Sequence, residues 1–396
     1  MLPRRPLTMR GTRGTDAARQ DGLVGRPQAA DRLLGGSGVG PTISTTADRG
    51  RTERGARLGT RPRAAYSSLR MGVVLVVLTI LMSIGVGWSI GANDAANSLG
   101  TAVGSKVLTL RQGVILVAAF GLLGALLQGS YVARTIGRGI VPLDALAPDI
   151  ARNVALVSCF AACTWVVLAT YWKIPVSTSH SIVGAVAGAG LAIGAPIRWR
   201  VLLDILICWV TTPLGAAILG YLFFAAFKRL LPRILPERHM SKIVSILIVA
   251  SGCYVAFSWG ANDVANATGV ISGAGVVAPF VGVLIGGVAI VIGIVTWGYR
   301  VIETIGSGIT HLLPIMAFSA QLASAVNVHA YTLLGIPVST SHSIVGAIFG
   351  VGLVNGLKVL NAKIMREIAI CWVATPFVSG AVSFLVLKGL VAILGL

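Results

Sequence analysis

Two polar motifs each occur twice in an otherwise apolar chain. GANDAAN at residues 91–97 returns as GANDVAN at 260–266, and PVSTSHSIVGA at 175–185 returns unchanged at 337–347. The copies stand 169 and 162 residues apart, so the repeating unit is half a protein and not a short solenoid turn. CWVTTP at 208–213 with CWVATP at 371–376, and ARTIGRGI at 133–140 with IETIGSGI at 302–309, extend the duplication. The halves are therefore residues 71–227 and 243–396, each supplying half of one site, an organisation expected of a secondary transporter.

Composition fixes the solvent. With 55% hydrophobic residues, 11% charged residues and a mean hydropathy of +0.85, the chain beyond residue 70 lacks the charge that a water-facing surface needs. Apolar runs long enough to cross a bilayer occupy 71–92, 112–133, 154–172, 201–227, 243–259, 276–299, 312–334 and 368–396, and shorter ones follow the second motif at 179–196 and 341–357. The expected fold is all-α and integral to a cell membrane, with roughly ten to twelve transmembrane segments. About five spans per half, an odd number, make the two repeats inverted in topology, with broken or re-entrant helices at the motifs. Residues 228–242, KRLLPRILPERHMSK, carry five Lys or Arg against Glu237 alone and are expected as a basic cytoplasmic linker.

The net charge of +19 is unevenly spread. Residues 1–70 hold 14 arginines, no lysine and five acidic side chains, without an apolar run to offset the entropy of ordering, and are expected to be disordered. Asp16, Asp21, Asp31, Asp48 and Glu53 argue against a transit peptide. A basic tail on anionic lipid is one reading; the preferred one is that the native protein starts at Met71, directly before the first apolar run. Nucleic acid is not an expected partner, since Tyr66 is the tail's one aromatic residue.

In the first motif, Asn93 and Asn97 share a helical face, with Asp94 beside them. A helix from Met71 to Ser105 would be ~52 Å long, well beyond a ~30 Å hydrocarbon core. The expectation is either two spans turning near Gly91 or one helix broken at membrane depth. Asparagine and small residues serve helix packing on their own account. An intramembrane carboxylate costs ~2.5–3.5 kcal/mol even on the mildest scale, so Asp94 and its repeat mate Asp263, flanked by Asn262 and Asn266, mark a functional site.

In the second motif Pro175 and Pro337 stop what precedes them. The runs Ser177, Thr178, Ser179 and Ser339, Thr340, Ser341 are placed to cap a following helix, whose free amides, dipole and hydroxyls form an anion site without any lysine or arginine. His180 and His342 are assigned a structural role, because no metal-ligand spacing surrounds them. A serine hydrolase is the enzymatic rival, but the chain has no G-x-S-x-G elbow, and catalysis requires no second copy; the chain is read as a non-enzyme needing no cofactor. The five cysteines, Cys159, Cys163, Cys208, Cys253 and Cys371, lie in apolar runs and are expected as free thiols.

Carboxylates beside an anion site need a mediator. A sodium ion can sit on carboxylate, amide and backbone oxygens and attract the anion, or an oxyanion that retains a proton can donate it to the carboxylate. Phosphate keeps a proton near neutral pH and sulfate does not, which favours phosphate and requires cation coupling.

GANDAANSLGTAVGSK at 91–106, GANDVANATGVISG at 260–273 and the two PVSTSHS segments resemble the signature repeats of the inorganic phosphate transporter (PiT) family, over about residues 71–396. The resemblance implies an inverted-repeat symporter, often a homodimer, that imports inorganic phosphate with Na+ or H+. The GAND form is similar to the sodium-coupled branch; a proton-coupled metal-phosphate carrier or a sulfate permease is the alternative within the family. Carried over residue by residue, it implies cation coupling at Asn93, Asp94, Asn97, Asn262, Asp263 and Asn266, with Na+ at Asp94 and Asp263. It implies phosphate at Ser177, Thr178, Ser179, Ser339, Thr340 and Ser341.

Overall fold

The computed structural model describes residues 61–104, 106–303, 313–354, 356 and 362–394. The expectations for residues 1–60, and most of the counterpart of ARTIGRGI at 304–309, lie outside them. Each of the ten apolar runs holds a helix. In the first half these are α1 (Arg61–Gly104), α2 (Leu110–Arg134), α3 (Pro148–Tyr171), α4 (Thr178–Ala192) and α5 (Trp199–Ile234). The second half has α6 (Glu237–Gly273), α7 (Pro279–Trp297), the short α8 (Tyr299–Glu303), α9 (Pro314–Leu333), α10 (Thr340–Val354) and α11 (Ala362–Leu394). Seven of them are long and apolar enough to cross a membrane. The count of ten to twelve had also included α4, α9 and α10. At 15 residues each, α4 and α10 span only about 22 Å, and α9 is diluted by Ser319, Gln321, Ser324 and Asn327.

Local signals set the helix starts. Thr109 and Gln112 form a reciprocal capping box on α2, with the Gln112 amide donating to Thr109 Oγ1 at 3.3 Å and the Thr109 amide to Gln112 Oε1 at 3.0 Å. Pro148, Pro279 and Pro314 occupy the first turns of α3, α7 and α9, where the missing N–H costs nothing. The turn after α9 needs a left-handed residue and has Gly335 (φ 70); the matching position after α3 is filled by Lys173 (φ 60).

Two expectations are corrected. No break occurs at Gly91: α1 runs unbroken through it, because the absent side chain is used for packing and not for bending. A Cβ at Gly91 would stand 2.0 Å from the carbonyl oxygen of Ile290, and one at Gly293 2.0 Å from that of Trp88, so α1 and α7 cross backbone to backbone. The breaks fall instead at Trp172–Ser177 and between α9 and α10, just ahead of the serine runs. The expected linker 228–242 is helical except at Leu235 and Pro236; its Lys, Arg, Leu and Met are good helix formers, and the ends of α5 and α6 absorb them. Helix α1 likewise starts ten residues before the expected boundary at residue 71.

The helices pair across the repeat. Helix α1 packs on α7, α2 on α6, α4 on α11 and α10 on α5, so each contact joins one half to the other. At the centre, every residue from Ser89 to Ser98 of α1 and from Ser258 to Ile271 of α6 is buried. Both GAND motifs are thus enclosed by protein and kept from lipid.

Candidate functional site

The serine runs cap their helices as the sequence requires. The His180 amide donates to Ser177 Oγ at 3.2 Å and the His342 amide to Ser339 Oγ at 3.1 Å. The preceding two amides in each helix have no intrahelical acceptor, as at any helix start, and give α4 and α10 positive ends that point to the buried centre.

Here the two motifs meet. Asp94 Oδ2 accepts from Thr178 at 2.8 Å, in its own half, while its Oδ1 accepts from Ser341 of the other half at 3.1 Å and from Asn97 at 3.0 Å. Asp263 repeats the pattern, with Oδ2 accepting from Thr340 at 2.9 Å and Oδ1 from Asn266 at 3.3 Å. The amides cross over as well: Asn97 Nδ2 donates to Thr340 and Ser341, each at 3.0 Å, and Asn266 Nδ2 donates to Ser179 at 2.9 Å. Ser179 also donates to the carbonyl of Val338 at 2.9 Å, and the carbonyl of Val176, 3.1 Å from Ser341 Oγ, competes with Asp94 for the one Ser341 proton. Asp94, Asn97, Asp263, Asn266, Thr178, Ser179, Thr340 and Ser341 therefore form one network in which each half completes the other.

Asn93 parts from it, and Asn262 touches only its edge. Asn93 Nδ2 donates to Thr170 at 2.9 Å and to the carbonyl of Ile174 at 3.1 Å, and its Oδ1 accepts from the Val176 amide at 3.2 Å. Asn262 bonds Thr332 at 3.0 Å and the backbone of Val338, and with its amide turned to suit both it also donates to Asp263 Oδ1 at 3.3 Å. These two side chains, each the residue before its carboxylate, tie down the segment ahead of each serine run. Thr170 and Thr332 escaped the sequence reading, although both stand five residues before their motif's proline, in TYWKIP and TLLGIP. Ser177 and Ser339 spend their hydroxyls on capping.

Among the described residues neither carboxylate has a cationic partner. Among the described residues the ion pairs are Arg138–Asp144 and Arg152–Asp149, both at the surface. Asp94 and Asp263 are at most 1% exposed, and a buried charge needs a counter-charge or a proton. The oxygens on hand, two carboxylates, the Asn97 and Asn266 amides and four hydroxyls, suit a hard cation. Asn266 Oδ1 is buried with no hydrogen-bond partner among the described residues, so its lone pairs are available for that purpose. No group of three or more His, Cys, Asp or Glu side chains suited to a transition metal occurs among the described residues. The opposed helix starts and their hydroxyls suit an oxyanion.

Comparison with known proteins gives the same direction. A sequence profile of the phosphate transporter family matches residues 90–383. A candidate phosphate permease of Pyrococcus furiosus is 30% identical over 401 residues, covering 81% of this chain and 97% of the relative. The chloroplastic inorganic phosphate transporter 2-1 of Arabidopsis thaliana is 30% identical over 409 residues, covering 76% and 70%. A solved structure, named as the sodium-dependent phosphate transporter, superposes with a TM-score of 0.74 at 29% identity, over 81% of this chain and 100% of that one. The profile spans both copies of both motifs, and the seven apolar helices make the protein a multi-pass membrane protein. A transport protein and not an enzyme, this chain belongs to the phosphate transporter family.

Proposed function

We propose that this chain imports inorganic phosphate by symport with sodium, the anion held between the starts of α4 and α10 and sodium at Asp94 and Asp263. The observation that carries the reading is the pair of bonds Thr178–Asp94 and Thr340–Asp263, at 2.8 and 2.9 Å, which join cation residues to anion residues. A hydroxyl has one proton to donate. While Asp94 holds that of Thr178 and Asp263 that of Thr340, neither hydroxyl can donate to phosphate. A cation on the carboxylate takes over its lone pairs, and the hydroxyls turn to the oxyanion. Sodium thus prepares the phosphate site, and phosphate adds the negative charge that holds the sodium; that mutual dependence is coupling. The sodium dependence named for the structural neighbour supports the choice of ion. The repeats are inverted in this reading, and rocking of one set of helices against the other exposes the site to each side in turn.

The test is uptake of labelled phosphate into liposomes containing the purified protein. Uptake follows an inward sodium gradient, disappears when choline replaces sodium, and is unaffected by excess sulfate. Uptake driven by a pH gradient alone identifies a proton symporter, and inhibition by sulfate a sulfate permease; either overturns the proposal. A Ser179→Ala/Ser341→Ala double variant loses hydroxyls from both helix starts. Its half-saturating phosphate concentration rises about tenfold or more, one or two hydrogen bonds to a charged group, and an unchanged value removes these serines from the phosphate site.

A further inference from the structure

Trp209 and Trp372 carry carbonyl oxygens that their own helices cannot use. A helical carbonyl accepts from the amide four residues on, and at that position stand Pro213 in α5 and Pro376 in α11, which have no N–H. Histidines from the other half take both oxygens: His180 Nδ1 lies 3.3 Å from the Trp372 carbonyl, and His342 Nδ1 3.3 Å from that of Trp209. A carbonyl only accepts, so Nδ1 carries the proton in each ring. The rings then cross. His180 stacks on Trp209 with centroids 3.6 Å apart, His342 packs on Trp372 at 3.7 Å, and the imidazoles meet edge to face at 4.4 Å. Each histidine thereby touches both proline-containing helices. One turn beyond the histidines, Gly184 and Gly346 let those helices close in, since a Cβ at either would come 2.3 Å from the carbonyl oxygen of Pro376 or Pro213.

We propose that His180, His342, Trp209 and Trp372 are positioning residues for phosphate: a clamp, built on two proline-freed carbonyls, that sets the helix starts carrying Ser179 and Ser341 against each other. This rests on the reading that phosphate binds at those serines. Each clamp histidine is the next residue after its serine, so a shift of the ring moves the hydroxyl. Nε2 of both histidines and Nε1 of both tryptophans are buried without a partner among the described residues. An open apolar groove of about 1030 Å³, lined by Trp209, Pro213, Trp372 and Pro376 among others, runs beside the rings.

The test is a double-mutant cycle on the full-length protein in liposomes. His180→Phe keeps a stacking ring and loses the donor. Pro376→Ala restores an amide inside α11 that competes for the Trp372 carbonyl. Each single variant raises the half-saturating phosphate concentration about tenfold, with maximal uptake and the yield of monodisperse protein within about twofold. Because both remove the same bond, the double variant is no worse than either single. Effects that multiply, or an unchanged half-saturation in either single variant, overturn the clamp. If His180→Phe does not fold, His180→Asn, which retains a donor, takes its place: half-saturation close to wild type, beside a shifted Pro376→Ala, supports the clamp, and the reverse order refutes it. Ser179→Ala/Ser341→Ala, run in parallel, separates the two ideas. An unchanged value there refutes the phosphate site itself, whereas a shift there without one in the clamp variants refutes the clamp alone.

Discussion

Asp94→Asn and Asp263→Asn each lower sodium-driven phosphate uptake by on the order of 100-fold, which is about 2.7 kcal/mol of transition-state or coupling energy, while the protein still inserts and purifies. The substitution is nearly isosteric, and an amide oxygen can still accept from Thr178 or Thr340. What it removes is the negative charge. An amide with the same hydrogen bonds has no charge for sodium to neutralise, so the cation no longer switches the hydroxyls from carboxylate to phosphate. Size-exclusion profiles matching wild type alongside lost uptake assign the effect to the site. Counterflow, the exchange of labelled for unlabelled phosphate without a gradient, separates lost coupling from lost binding. Uptake within a factor of about two of wild type in both variants would remove the carboxylates from the mechanism.

Gly91→Val and Gly260→Val act through the scaffold, and both give less stable protein. A Cβ at Gly260 would lie 1.9 Å from the carbonyl oxygen of Gly121, and one at Gly91 2.0 Å from that of Ile290. The obstruction is backbone in each case, so no neighbouring side chain can rotate out of the way, and the crossing helices must separate. Overpacking a core costs about 1–3 kcal/mol and occasionally more; rigid obstruction places these variants at or above the upper end. The thermal unfolding midpoint in detergent falls by about 5 °C or more, and the carboxylate three residues further along each helix moves with the backbone. Gly389→Val is the control, because a Cβ there meets nothing within 4 Å. Equal midpoints for all three variants would show that the close crossings do not carry the stability assigned to them.

Much of this was legible in the letters. The ten apolar runs announce ten helices because lipid leaves the backbone no other way to satisfy its hydrogen bonds, and Pro175-Val-Ser177 announces a stop followed by a cap through local chemistry alone. The convergence of Asp94 with Asp263 followed from duplication. What could not be read were relations between distant residues. Gly91 looks like a weak point in a lone helix and turns out to be the crossing point with α7, a distinction that depends on a partner about 200 residues away. Asn93 and Asn97 share a helical face, yet one reaches the segment before α4 and the other the start of α10. The function of the CWVTTP and CWVATP segments was hidden differently. Proline four residues after tryptophan marks a free carbonyl in any helix, but which donor takes it is decided by the fold.

The exchange of helices between halves also bears on how such a duplication persists. Once Asp94 depends on Ser341 and Asn266 on Ser179, neither copy can change alone without spoiling the other's site. Eleven identical letters at 175–185 and 337–347 fit that mutual dependence, in which each copy is the mould that holds the other.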